Sequence, residues 1–305
     1  MIGVYISVII TAYNRKEFLL DAMNSVLDQT LDHDKYEIIL IKNFRDENVD
    51  KIAKEYMIKN IYMEGTIGEY LKVGLQEAKG NVISFMDDDD IFLKNKLEVV
   101  YALFKNNEKL VYFHNLSQFI DENKHPINRF GNGLDFNLSS ISIRKSILSL
   151  NSLDNLSSLP DSFMLYSAFE NGGIIISGDS VLSYYRWHNS TTNLVGDNDS
   201  KDKFKFKLSQ KFISQLEIFY SNFKSVKTRK YILNYMMALK VNVNIFTKLH
   251  CSNRIYKMKV GEMVGYVLIF NYWGKRKYYP LKFLKFLEMY LPENILKKIL
   301  FKDIL

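Results

Sequence analysis

Four consecutive carboxylates, Asp87-Asp88-Asp89-Asp90, directly follow the apolar run Val82-Ile83-Ser84-Phe85-Met86. Charges crowded within a few ångströms repel one another, and the least costly partner that holds them together is a hard divalent cation taking oxygen ligands. The run therefore marks a candidate metal site. A solvated acidic turn is the other reading of an isolated Asp run.

The residues before it must position it. Ile6-Ser7-Val8-Ile9-Ile10 is a β-branched run closed by Thr11-Ala12-Tyr13-Asn14-Arg15, and helical periodicity follows from Phe18 to Leu27. That order predicts a βαβ unit whose first strand is buried and parallel. A second strand is expected at Tyr36 to Ile41, with helices around Val49 to Tyr56 and Glu69 to Ala78, and then the strand that carries the aspartates. Alternating strands and helices build an open α/β sheet, which binds ligands outside the carboxyl ends of its strands. The acidic run falls at such an end.

These segments resemble the nucleotide-sugar-dependent glycosyltransferases of family 2. The resemblance lies in Ser7-Val8-Ile9-Ile10-Thr11-Ala12-Tyr13-Asn14-Arg15, Ser25-Val26-Leu27-Asp28-Gln29-Thr30, Ala78-Lys79-Gly80 and Phe85-Met86-Asp87-Asp88-Asp89-Asp90, in that order and spacing. They look like the family's first strand and nucleotide loop, a helix end, a turn and an Asp-x-Asp (DXD) motif. The likeness is good over about 4 to 100 and moderate over 130 to 195. It implies an α/β GT-A fold, with a Rossmann-like, mostly parallel sheet flanked by helices.

A sugar nucleotide carries a diphosphate leaving group, whose developing charge a cation can neutralise while bridging phosphates and carboxylates. A Mn or Mg ion is the cofactor implied. Asp89 matches the last Asp of the motif and is the expected direct ligand, with Asp87 second and Asp88 toward the ribose or donor sugar. Asp90 has a structural reading as the first-turn or N-cap acid of the segment after it, where a negative charge complements a helix N-terminus. The family's base is an Asp at the start of a later helix, and Leu159-Pro160-Asp161-Ser162 matches that place, with Pro160 where the first acid of a pair would stand. Asp161 is the candidate base, or else a helix-capping acid. Ser183-Tyr184-Tyr185-Arg186-Trp187-His188 looks like the family's Tyr-Arg-x-His segment; Arg186 and His188 share one side of an extended chain and are expected over the diphosphate, His188 also as a metal ligand.

Several positions depart from the pattern. Lys42-Asn43-Phe44 stands where the family has acids for the nucleobase or ribose, leaving Asn43 as the base contact with Phe44 near it. Lys72 remains as a phosphate contact, and Thr11, Ala12 and Tyr13 as donor contacts, Ala12 through its backbone.

The chain has 305 residues and a net charge of +7, enough for a full α/β core and an appendage. Residues 201–305 hold 22 Lys and Arg against 6 Asp and Glu, while residues 1–200 hold 19 against 28. The division expected is a catalytic domain over 1–198 and a basic, aromatic-rich, mainly helical region over 199–305, with the boundary in Thr191 to Lys203. Runs such as Tyr231 to Lys240 and Leu281 to Leu287 suit an anionic membrane surface or a packed helical subdomain. No nucleic-acid module accompanies them. Cys251 is the single cysteine, so no intrachain disulfide or Cys-based zinc site is expected. No run reaches the length of a membrane span and no leader is visible, so a cytoplasmic place, peripheral on the inner membrane face, is expected. The reading is a metal-dependent, inverting transferase moving sugar from a nucleotide-sugar donor, a UDP-sugar first, to a hydroxyl of a glycan or lipid-linked glycan, as in polysaccharide biosynthesis. A nucleotidyltransferase and a non-catalytic sugar-nucleotide-binding protein are the alternatives.

Overall fold

The computed structural model describes residues 5–188, 198–251 and 256. The first apolar run forms strand β1 (Ile6–Ala12), with every residue buried, as a strand covered on both faces must be. The chain continues through α1 (Leu19–Leu27), β2 (Tyr36–Lys42), α2 (Glu47–Glu55), β3 (Lys59–Tyr62), α3 (Ile67–Glu77) and β4 (Val82–Asp87). Strands β2 and β4 flank β1 in parallel, so that Thr11 lies opposite both Ile41 and Asp87. This register brings the polar ends of the three strands to one edge. Strand β3, parallel to β2, has no counterpart in the sequence reading. It lies at the end of the sheet and its residues are mostly exposed, so it carries no apolar signal.

Local chemistry fixes the helix starts. Asp46 caps α2 by accepting the N–H groups of Asn48 and Val49, and Thr66 and Glu69 form a reciprocal capping box on α3. At Gly68 an added Cβ would lie 2.2 Å from the Leu153 carbonyl oxygen and 2.7 Å from that of Leu156. Only glycine lets α3 approach that segment so closely.

The second half contributes β5 (Ile91–Phe92), α4 (Lys96–Asn106), β6 (Leu110–Ile120), β7 (Pro126–Gly131), β8 (Ile141–Arg144), α5 (Pro160–Asn171) and β9 (Ile174–Arg186). The sheet order is β3-β2-β1-β4-β8-β6-β9-β5, with β7 on β6. Strand β8 runs antiparallel to β4 and β6, while β6 and β9 are parallel. The reversal beside β4 brings the 3-10 turn Leu138–Ser140 against its end, where the Ser139 hydroxyl accepts the Asp87 N–H at 2.9 Å.

The chain divides into compact units at 1–188 and 189–305. In the second, α6 (Asn198–Asn222) and α7 (Val226–Cys251) pair through Phe206 stacked on Phe246 at 4.6 Å and Lys240 bonded to Glu217 at 3.2 Å. The expected helical run Tyr231 to Lys240 is part of α7. The run Leu281 to Leu287 and most of the boundary stretch, 191 to 197, lie outside the described residues. Among the described residues no helix is long and apolar enough to cross a membrane.

Candidate active site

The acidic run turns at the end of β4. Asp87, Asp89 and Asp90 each offer a carboxylate oxygen, and the three atoms lie within 4.8 Å of one another. Asp90 is fully buried. Its Oδ1 accepts the Arg186 N–H at 3.0 Å, and its Oδ2 has no partner in hydrogen-bonding geometry. The reading of Asp90 as a helix acid is corrected: β5 follows it, and α4 starts at Lys96 behind Asn95. Burial, then the charges of Asp90 and Asp89, pushes the Asp87 carboxyl well up. Burial and Asp89 raise Asp88 and Asp90 too, with Arg15 opposing the shift at Asp88. Packed this way without a cation, the carboxylates repel. The three convergent ligands and the frustrated charge fit a divalent ion held by Asp87, Asp89 and Asp90.

Arg15 and His188 close the other side. The Arg15 guanidinium pairs with Asp88 and, at 2.7 Å, with Asp89 Oδ2. His188 Nε2 lies 2.8 Å from the same Asp89 oxygen and 3.3 Å from Arg15 Nη1. The expected grouping of Asp87, Asp88, Asp89 and His188 is thus present in space. Arg15 had no role in the sequence reading. Its one signal was its place just beyond β1, at the edge where such sheets bind ligands.

Arg186 departs from expectation. Its guanidinium is buried and bonds the Asp89 carbonyl at 2.8 Å, the Glu122 carbonyl at 2.6 Å and Asp21 Oδ2 at 3.0 Å, and it lies 4.3 Å over the Phe18 ring. All three nitrogens are engaged with protein, so Arg186 ties the acidic loop to α1 and to the Glu122 main chain rather than reaching a phosphate.

The nucleoside corner lies at the ends of β1 and β2. Ala12 is wholly buried in the core, main chain included, and Thr11 is nearly buried. Tyr13 is 54% exposed and meets Tyr70 edge-on at 6.2 Å. Asn43 exchanges hydrogen bonds with Asn14, each 2.8 Å, and donates to Glu64 at 3.2 Å. Asn14 takes a left-handed φ of 54° to do so, a conformation asparagine tolerates. Lys42 is buried and bonds Asp50 at 2.8 Å and the Phe44 carbonyl at 2.9 Å, so its charge is neutralised inside the protein. Phe44 packs against the core rather than standing free beside a base. Lys72 pairs with Asp154, which turns its ammonium to another carboxylate rather than to the acidic run.

Asp161 sits in the first turn of α5, after Leu159 in a left-handed conformation and Pro160 at the first helical position. Burial, then the charge of Asp135, then that of Asp90 push its carboxyl up to about 8. Beneath the acidic loop, Lys96 is completely buried; it donates to Asn115 at 2.8 Å and to the Ser139 carbonyl, and lies 4.0 Å over the Phe92 ring. A lysine ahead of an apolar helix face gives no sequence sign of such burial.

A family model described as "Glycosyl transferase family 2" matches residues 7–167. An uncharacterized glycosyltransferase of Rickettsia bellii is 32% identical over 125 residues, which is 38% of this chain and 17% of that protein. The matches to the first curated relatives span between 17% and 40% of their lengths. Among solved structures, S. aureus TarS 1–349 in complex with UDP-GlcNAc superposes with a TM-score of 0.55 at 15% identity, over 97% of this chain and 91% of that one. The mannosyltransferase PcManGT of Pyrobaculum calidifontis, in complex with GDP-Man and Mn2+, gives 0.56 at 9% identity, over 95% and 87%. At these identities the structural likeness concerns the fold.

Proposed function

The chain belongs to glycosyl transferase family 2 and has its GT-A architecture, and from that premise we propose a metal-dependent, inverting glycosyltransferase. It moves a sugar from a nucleotide-sugar donor to a hydroxyl of a glycan or lipid-linked glycan. The observation that carries the proposal is the convergence of Asp87, Asp89 and Asp90 at the sheet edge that also holds Thr11, Tyr13 and Asn43. A divalent cation, Mn or Mg, held by Asp87, Asp89 and Asp90 with His188 beside Asp89, would offset the negative charge of the departing diphosphate.

The chain's own groups supply the rest. Thr11, Tyr13 and Asn43 hold the nucleoside, a uridine in the first instance, and Asp88 meets the ribose or sugar. Arg15 already binds the acids on which the diphosphate would lie and offers it a guanidinium. Asp161, in its ionised form, takes the proton of the acceptor hydroxyl as that oxygen attacks the anomeric carbon from the face opposite the leaving group; a cation on Asp87 and Asp90 would offset negative charge that helps hold its carboxyl up at about 8. The catalytic domain spans 1–198. The basic region 199–305 meets an anionic membrane surface, and binding to anionic liposomes that weakens as salt rises is its measure.

The deciding experiment incubates the protein with a panel of nucleotide sugars, with and without Mn²⁺ or Mg²⁺. Release of nucleoside diphosphate supports the transferase. In a parallel incubation with a sugar 1-phosphate and a nucleoside triphosphate, release of pyrophosphate would identify a nucleotidyltransferase, and binding without turnover in either assay a non-catalytic protein.

A further inference from the structure

The loop between β7 and β8 brings a second carboxylate to the base. Asp135 lies far from Asp161 in sequence, yet its Oδ2 accepts the hydroxyl of Ser162, the residue after Asp161, at 2.9 Å. The Tyr112 phenol faces both acids: burial, then Asp135, then Asp161, raise its pKa well above the ordinary phenol value. Asp135 thus reaches the first turn of α5 beside Asp161, and its charge acts on the Asp161 carboxyl.

The segment that presents Asp135 is built rather than loose. The Tyr112 hydroxyl donates to the Leu134 carbonyl, and His114 Nε2 donates to the Phe136 carbonyl at 2.7 Å. Tyr112 and His114 lie two residues apart on β6 and share one face. The Phe136 N–H bonds the Gly133 carbonyl at 2.9 Å. Asn137 holds a left-handed φ of 62° while its side chain caps the next turn through the Ser139 N–H at 3.0 Å. The peptide groups on both sides of Asp135 are thus pinned.

Further negative charge faces Asp161. His114 is held neutral, its pKa lowered to about 4 chiefly by burial, and its bond to a carbonyl fixes the proton on Nε2. Asp90 and Asp87 face Asp161 from the acidic loop and add negative charge. Lys96, from α4, faces Asp90 and His114.

Pro160 removes the acidic neighbour that the family pattern places beside the base. We propose that Asp135 replaces it from the β7–β8 loop, as a positioning residue that sets the proton affinity of Asp161. Close carboxylates do not ionise independently, and the pair takes up and loses protons in two linked steps. The inference rests on Asp161 as the base. It is read without donor or cation.

The test is a ¹³C-carboxyl NMR titration of the full chain, with the Asp161 signal assigned by its loss in Asp161→Asn. In Asp135→Asn the Asp161 midpoint is expected to fall by about one pH unit, a tenfold change in proton affinity. Asp135→Ser keeps a hydrogen-bonding group for Ser162 without the charge, and serves if the Asn variant does not fold. An unchanged midpoint in a folded charge-free variant overturns the inference and leaves Asp135 as a partner of Ser162 only. Sugar transfer at the wild-type rate by Asp161→Asn would instead overturn the base reading and leave the coupling of the two acids standing.

Discussion

At the scale of single residues, the acidic loop separates charge from position. Asp89 meets Arg15 and His188 at once, so Asp89→Asn removes one ligand charge and loosens both partners. Donor binding and turnover are expected to fall together, read by Mn²⁺ titration in the presence of a nucleoside diphosphate. Undiminished metal-dependent binding in this variant would move the site elsewhere in the loop. Asp161→Asn should separate the two quantities, with nucleotide affinity near wild type and a rate lowered about 10²-fold or more, the usual scale of a general base. Near-normal transfer by this variant would leave Asp161 a helix-capping acid. Arg186 bonds the Asp89 carbonyl, the Glu122 carbonyl and Asp21 from a fully buried position. Arg186→Met strands those acceptors and should cost about 3 kcal/mol, as breaking buried charge pairs does. Urea denaturation measures it, and a loss below about 1 kcal/mol would contradict the scaffold role.

At the scale of elements, strands β1, β2 and β4 could be read from the sequence because continuous apolar runs state their burial. Residues such as Lys59 and Asn60 state nothing of the kind, so β3 was silent. The same contrast divides the site. Asp87 to Asp90 advertise themselves as a run, and the helix start at Pro160-Asp161 has a recognisable order. Arg15 and Asp135 reach their partners only through tertiary structure, 73 and 26 residues away along the chain. No local pattern encodes such distances. The partners of Arg186 are not legible in the sequence, because strand alternation gives the side a residue faces, not what waits there. Close packing of α3 was equally hidden. Gly68→Ala would drive a methyl group into the Leu153 and Leu156 carbonyls, and the overpacking is expected to cost about 1–3 kcal/mol, seen as a lower Tm. A Tm equal to wild type would mean that the segment after Leu150 yields freely.

For the whole molecule, the raised carboxyls link stability to pH. Asp87, Asp88, Asp90 and Asp161 all hold their protons more tightly folded than in an unfolded chain, where carboxyls titrate near pH 4. A raised pKa contributes stability that is complete below the unfolded value and is lost as pH climbs through the folded one. Without divalent cation, the Tm should therefore decline from about pH 4 to about pH 8, where Asp161 is half ionised and the loss levels off, with the Arg15 pairs offsetting part of it. A Tm that rises across this window would refute the frustrated charge. Arg15 has a further bearing on how such a protein is handled. A guanidinium resting on Asp88 and Asp89 makes the site its own competitor: an arriving ion can occupy only the molecules in which that arm has swung aside, and its apparent affinity is scaled down by their fraction. A diphosphate would give the arm another anion to grasp and so free the carboxylates. Metal and nucleotide should accordingly each bind weakly alone and tightly in the other's company, and a screen that offers them one at a time would score both as absent.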